Sequence, residues 1–192
     1  MNADFLSKEW YHLAEVYKAI VLGPPNVGKS SLIRRYQAGE FRDEYTATVG
    51  MDMKAATFDF PDGSVVLTVV DIGGQSTFTG LRSRFFAGSH HMILVFDKTD
   101  RSTFDSIPEW HGSLTKNVNI PEKLFPRGSL VGNKADLKDQ EAVTAEEGQR
   151  MADILTLTYF EASAKTGLNV AELFLHTATE SRQLVKTRAR EE

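Results

Sequence analysis

Residues 23 to 31 read Gly-Pro-Pro-Asn-Val-Gly-Lys-Ser-Ser, and they restrict the fold more than any other stretch. Gly23, Gly28, Lys29 and Ser30 stand at G-x-x-x-x-G-K-S spacing, the pattern of a phosphate-cradling loop. Each position has a physical job. Gly28 lets the backbone come close to an anion and turn into a helix. The amides of Asn26, Val27, Gly28, Lys29, Ser30 and Ser31 can converge on a phosphate at the positive end of that helix. Lys29 brings a point charge to the β- and γ-phosphates. The Ser30 hydroxyl suits Mg²⁺, which prefers oxygen ligands. Such a loop needs a strand before it and a helix after it. Tyr17-Lys-Ala-Ile-Val-Leu22 reads as a short buried strand and Ser31-Leu-Ile-Arg-Arg-Tyr36 as a helix. Taken alone, the loop also reads as a glycine-rich turn between strand and helix.

The rest of the chain alternates in the same way. Met51–Phe60 and Ser64–Asp71 are strand-like runs joined by the turn signal Pro61-Asp62-Gly63. His91–Phe96, Gly128–Asn133 and Leu157–Glu161 are further strands. Helices are expected from Ser102 to about Val118, from a Thr144/Glu147 capping box to about Leu155, and from an Asn169/Glu172 cap to about Lys186. This order predicts an α/β fold with a mostly parallel sheet, one antiparallel edge pair and helices on both faces. The organisation is an N-terminal extension over residues 1–16, one domain over 17–186 and a tail over 187–192. In the extension, Ser7 can cap a short helix with Trp10, Leu13, Ala14 and Tyr17 on one face. That helix docks on its own domain, or serves a membrane surface or a partner. A net charge of −4 argues against nucleic-acid binding, and the absence of cysteine removes disulfides and thiolate chemistry.

Three later stretches sharpen the chemistry. The second strand of the hairpin ends in Asp71-Ile-Gly-Gly-Gln75, which sets a carboxylate where open α/β sheets bind ligands. There Asp71 can hold Mg²⁺ through a water. Asn133-Lys134-Ala-Asp136 follows the fifth strand. An Asp136 carboxylate can accept from the N1–H and N2–H₂ of guanine, a donor pair that adenine lacks. Asn133 can fasten this loop to the phosphate loop, and the Lys134 stem can lie on the base. By itself the same motif reads as a polar surface turn. Ser163-Ala164-Lys165 follows the last strand, where the Ala164 amide could reach guanine O6.

With these motifs the chain, from about Tyr17 to Leu184, resembles the Ras-like small GTPases and most closely their Rab branch. The resemblance implies a P-loop small G domain with a six-stranded sheet, five flanking helices, GTP or GDP bound with Mg²⁺, and two switch loops. By position it gives Ser30 and Thr48 as Mg²⁺ ligands. Phe41 would stack on guanine, Tyr45 would cover the phosphates, and the Gly74 amide would hold the γ-phosphate. Gln75 would orient the attacking water, making Gln75, Lys29, Thr48 and Gly74 the catalytic set. Phe41 and Tyr45 also read as loop-anchoring aromatics.

There are departures. Pro25 replaces a small residue and could obstruct an incoming arginine. Ser76 replaces an acid used in nucleotide exchange. Met53, Val70 and Phe85 stand where Rab proteins carry an effector-binding aromatic triad. The chain has no cysteine to prenylate. The leading reading is a guanine-nucleotide switch that hydrolyses GTP slowly, in trafficking or signalling. The alternatives are a pseudo-GTPase scaffold and an ATP-using P-loop enzyme such as a small kinase. The expected partners are an exchange factor, an activating protein and effectors, meeting residues 41–52 and 72–87. A cytoplasmic monomer without a lipid anchor is expected, recruited to membranes by a partner if at all.

Overall fold

The computed structural model describes residues 15–41, 50–73, 86–115 and 127–191. The sites expected at Tyr45, Thr48, Gly74, Gln75, Ser76 and Phe85, and the N-terminal helix, lie outside the described residues. The elements run β1 (Glu15–Leu22), α1 (Lys29–Ala38), β2 (Met51–Phe60), β3 (Gly63–Ile72), β4 (His91–Asp97), α2 (Arg101–Asp105), α3 (Ile107–Thr115), β5 (Arg127–Asn133), α4 (Ala145–Leu155), β6 (Thr158–Glu161) and α5 (Val170–Glu191). One sheet has strand order β2-β3-β1-β4-β5-β6, antiparallel at β2–β3 and parallel elsewhere. This is the expected α/β architecture. The described residues hold six strands and five α-helices.

The central strand β4 is buried along its whole length, as a strand covered on both faces must be. On one face, Leu32 and Ile33 of α1 and Leu173 and Phe174 of α5 pack on Val21, Leu67 and Val95. On the other, Phe104, Ile107 and Ala152 from α2, α3 and α4 pack on Leu94, Phe96 and Leu130.

Four local expectations are corrected. The helix expected over 102–118 is two helices, with Ser106 between them. Pro108 has no N–H to offer the turn before it, so the ladder breaks there. Asn169 does not cap α5 with its side chain. It sits in the left-handed region (φ 54), and its amide donates instead to the Glu161 carbonyl at 2.7 Å. Helix α5 runs on through Glu191, past the expected end at Lys186. Tyr17 belongs to β1 and is 5% exposed, so it is not on the face of an N-terminal helix.

Arg182 of α5 closes the end of the sheet remote from the phosphate loop. Its Nε and Nη2 donate to Glu15 at 3.0 Å each and its Nη1 to Asp62 at 2.6 Å. Its guanidinium lies 5.0 Å from the Phe60 ring centroid. The cation holds both carboxyls below their usual range.

His91 is fully buried, with Nε2 2.9 Å from Ser129 Oγ. Burial first, then the positive charge of His176 and Arg127, pushes it down to about 3. Its folded-state affinity for a proton is therefore below the unfolded value near 6.5. The unfolded chain binds the extra proton, so this contribution is complete above pH 6.5 and is lost as pH falls toward 3. Urea titrations should show stability declining with a slope of up to about 1.4 kcal/mol per pH unit from this one group. His91→Gln should flatten that slope between pH 6.5 and 5. For the core, Phe174→Ala should lower stability by about 3–5 kcal/mol. Leu175→Ala, one residue on and half exposed, should change it by less than about 1 kcal/mol.

Candidate nucleotide-binding site

The loop between β1 and α1 is fixed by two close approaches. Gly23 has φ 140, and a Cβ there would lie 2.1 Å from the Val95 carbonyl oxygen. Gly28 has φ 92, and a Cβ there would lie 2.2 Å from Asn133 Nδ2. Neither position admits a side chain. Asn26 between them is also left-handed (φ 64). Lys29 reaches back across the loop, donating to the carbonyls of Gly23 at 2.9 Å and Pro24 at 2.7 Å. It is only 6% exposed, so its charge is held at the floor of the loop.

Helix α1 starts at Lys29 without a side-chain cap and without an acid in its first turn. Helix α4 has both, through the expected capping box of Thr144 and Glu147. An uncapped helix start presents its amides and positive dipole end to an anion. At its first turn the Ser30 hydroxyl donates to the Asp71 carboxylate at the end of β3. A hydroxyl that donates to a carboxylate keeps its lone pairs for a cation. Two adjacent oxygen donors, with phosphate oxygens to add, fit Mg²⁺. Among the described residues no cluster of three or more His, Cys, Asp or Glu could hold a metal unaided.

The second half of the site forms at the carboxyl ends of β5 and β6. Asn133 is 1% exposed. Its Nδ2 donates to the Val27 carbonyl at 2.7 Å, and its Oδ1 accepts from the Ala164 amide at 3.1 Å. The fastening to the phosphate loop is as expected. The Ala164 amide, expected to reach guanine O6, is here engaged by Asn133. Lys134 is left-handed (φ 65), and its Nζ lies 2.5 Å from Asp97 Oδ2. Asp136 Oδ1 accepts from the Ser163 hydroxyl at 2.6 Å, so Ser163 acts by orienting the carboxylate. Lys165 is exposed, and its carbonyl accepts from Arg35 Nη2.

Sequence reasoning missed two residues. Arg35 of α1 also donates Nε to the Ala164 carbonyl at 2.7 Å, joining α1 to the last loop. Asp97 anchors Lys134 and accepts from the Thr99 amide and hydroxyl at 2.8 and 2.7 Å. Arg35 left no signal, since an arginine on a helix usually faces water. Asp97 could have been found as a carboxylate ending the apolar run from Met92 to Phe96. Phe41 is half-buried against the core on the α1–α5 side, as an anchoring aromatic would be. Met53 is 52% exposed, whereas Val70, paired with it across the β2–β3 ladder, is buried at 1%.

Residues 18–183 match the family described as "Ras family". The chain is 33% identical to "GTP-binding protein ypt2" of Schizosaccharomyces pombe, over 85% of this chain and 80% of the relative. It is 34% identical to "Ras-related protein RAB1BV" of Beta vulgaris, over 86% and 76%. It is 31% identical to "Ras-related protein SEC4" of Candida albicans, over 85% and 76%. The chain therefore belongs to the Ras family of small GTPases, on its Rab and Ypt side.

Proposed function

We propose that this small GTPase is a switch that binds GTP and GDP with Mg²⁺ and hydrolyses GTP slowly, in Rab-like membrane traffic or signalling. The observation that carries the reading is the double engagement of Asn133, which holds a base-reading loop against a phosphate-holding loop. Asp136, steadied by Ser163, then faces the N1–H and N2–H₂ of guanine. A site whose polar groups would lose their partners rejects the wrong ligand by about 10⁴-fold. Adenine would leave Asp136 without its donors.

In the reaction, water attacks the γ-phosphorus and GDP leaves. Lys29 holds the β- and γ-phosphate oxygens, helped by the amides of residues 26–31. Ser30 and Thr48 would hold Mg²⁺, with Asp71 beside Ser30. The metal, when bound, neutralises phosphate charge. Gly74 positions the γ-phosphate and Gln75 aligns the water. Thr48, Gly74 and Gln75 take these roles from their positions in the family pattern. No matched motif supplies an arginine, so the intrinsic rate should be on the order of 10⁻⁴ to 10⁻³ s⁻¹, rising about 10³- to 10⁵-fold with an arginine supplied in trans. An exchange factor, an activator and effectors would meet residues 41–52 and 72–87. A cytoplasmic monomer recruited by such a partner fits the chain. No helix among the described residues is long and apolar enough to cross a membrane.

Single-turnover GTP hydrolysis tests the catalytic assignment. Gln75→Leu should lose most turnover and keep nucleotide affinity. Hydrolysis at the wild-type rate by that variant would remove Gln75 from the mechanism. No GTP turnover by wild type, with nucleotide retained, would favour the scaffold reading, and preferential ATP turnover would favour a kinase-like enzyme. Base selection has its own test. Asp136→Asn keeps an oxygen for Ser163 but turns one acceptor into a donor, so it should shift preference from GTP toward XTP by at least about tenfold. An unchanged GTP/XTP affinity ratio would count against Asp136 as the base-reading group.

A further inference from the structure

Lys98, the first residue past β4, is a lysine only 5% exposed. Its backbone is fixed on both sides. The amide donates to the Asn133 carbonyl at 3.0 Å, and the carbonyl accepts from the amides of Ala142 at 2.8 Å and Val143 at 3.1 Å. The side chain runs over Gly132, where a Cβ would lie 3.0 Å from Lys98 Cγ. At its end Nζ pairs with two carboxylates, Glu141 at 2.8 Å and Glu161. Glu141 follows the short turn Lys138–Gln140 and closes the loop that opens at Asn133 and carries Asp136. Glu161 ends β6, two residues before Ser163, and its carbonyl accepts from Asn169 Nδ2 at 2.7 Å. The same two loops are joined by Asp136 to Ser163 and by Asn133 to Ala164.

We propose that Lys98 is a positioning residue for guanine. By holding Glu141 and Glu161 on one ammonium, it sets the spacing between the loop of Asp136 and the loop of Ser163. That spacing governs how long the base is kept and how strictly its 2-amino group is read. The physics runs both ways. A buried ammonium is costly without partners, and two carboxylates drawn to one point repel unless a cation lies between them. The loops therefore rest where the three charges balance. Asp136 has to meet two donors of a planar base at once, which leaves little room for error in its placement. Lys98 touches neither base nor phosphate in this role and acts through the two loops. The proposal rests on the guanine reading of the site.

Two measurements on the full chain test this: release of a fluorescent GDP analogue, and affinities for GDP and for IDP, which lacks the 2-amino group. Lys98→Met keeps the side chain's length and removes its charge. It should release the analogue at least about fivefold faster than wild type. It should also lose part of the preference for GDP over IDP, because a displaced Asp136 no longer reaches the N2 donors. Lys98→Arg keeps the charge and should stay near wild type in both. Lys98→Met/Glu141→Gln/Glu161→Gln leaves no carboxylates to repel, so both values should move back toward wild type. Faster release with an unchanged GDP/IDP ratio would make Lys98 a merely structural residue and overturn the proposal. A triple variant no better than Lys98→Met would overturn it too. If Lys98→Met does not fold, Glu141→Ala decides, since it cuts one arm at a side chain 36% exposed. It should shift release and ratio in the same directions, and wild-type values for both would overturn the proposal. A wild type that holds ADP as tightly as GDP would remove the guanine reading itself, and the proposal with it.

Discussion

Everything at the nucleotide end of this protein depends on the side chain of Asn133. A buried amide is costly unless its donor and acceptor are both used. Here Nδ2 is used by Val27 in the phosphate loop and Oδ1 by Ala164 in the last loop. Three loops at the carboxyl ends of β1, β5 and β6 are thereby locked to one another. The lock needs Gly28, because a Cβ at that position would take the space of Nδ2. Gly23 makes the same demand one strand over, against the Val95 carbonyl. None of the three loops can move on its own without breaking one of these hydrogen bonds.

The sequence revealed most of this because the relevant residues are constrained by local chemistry. Glycines at fixed spacing, a strand ending in Asp71 and a Thr144/Glu147 cap each announce a backbone event within a few residues. The parts that stayed hidden are those decided over long sequence separations. Nothing near Arg182 shows that it will meet Glu15, 167 residues away. Nothing near Arg35 shows that it will meet Ala164. His91 sits beside His90 in sequence, yet strand alternation buries one ring beside Ser129 and gives the other a backbone amide from Lys18. The break within the 102–115 segment is legible at Pro108. Pro108 is enough to break the ladder, whereas the apolar spacing of Phe104, Ile107 and Trp110 suggests continuity. Asn169 is ambiguous for a subtler reason. The residue type that favours an N-cap also tolerates the left-handed backbone, and only the tertiary path of the chain decides between them.

Pro24 and Pro25 give the phosphate loop a character of its own. Each fixes φ near −65° and removes an amide, so the donors facing a phosphate begin at Asn26. Lys29 takes the Pro24 carbonyl as one of its two acceptors, which pins the stiffened segment from beneath. Pro25 is exposed at the rim. Its ring therefore lies outside the contact by which Lys29 holds the loop.

The hairpin of β2 and β3 connects the two regions that would respond to the γ-phosphate. At its upper end the Gly73 amide donates to the Gly50 carbonyl at 3.0 Å. Below this the ladder is unbroken from Met51–Ile72 to Phe60–Gly63. At the lower end Arg182 and Lys186 of α5 grip Asp62 in the turn. A slip of one residue would turn Phe58 and Phe60 from the core to solvent and send Met53 the other way. It would also pull Asp62 out of its ion cluster. The hairpin is therefore a fixed beam, clamped at the end remote from the nucleotide. The ladder has no second register to adopt without breaking both a core and a buried cation's contacts.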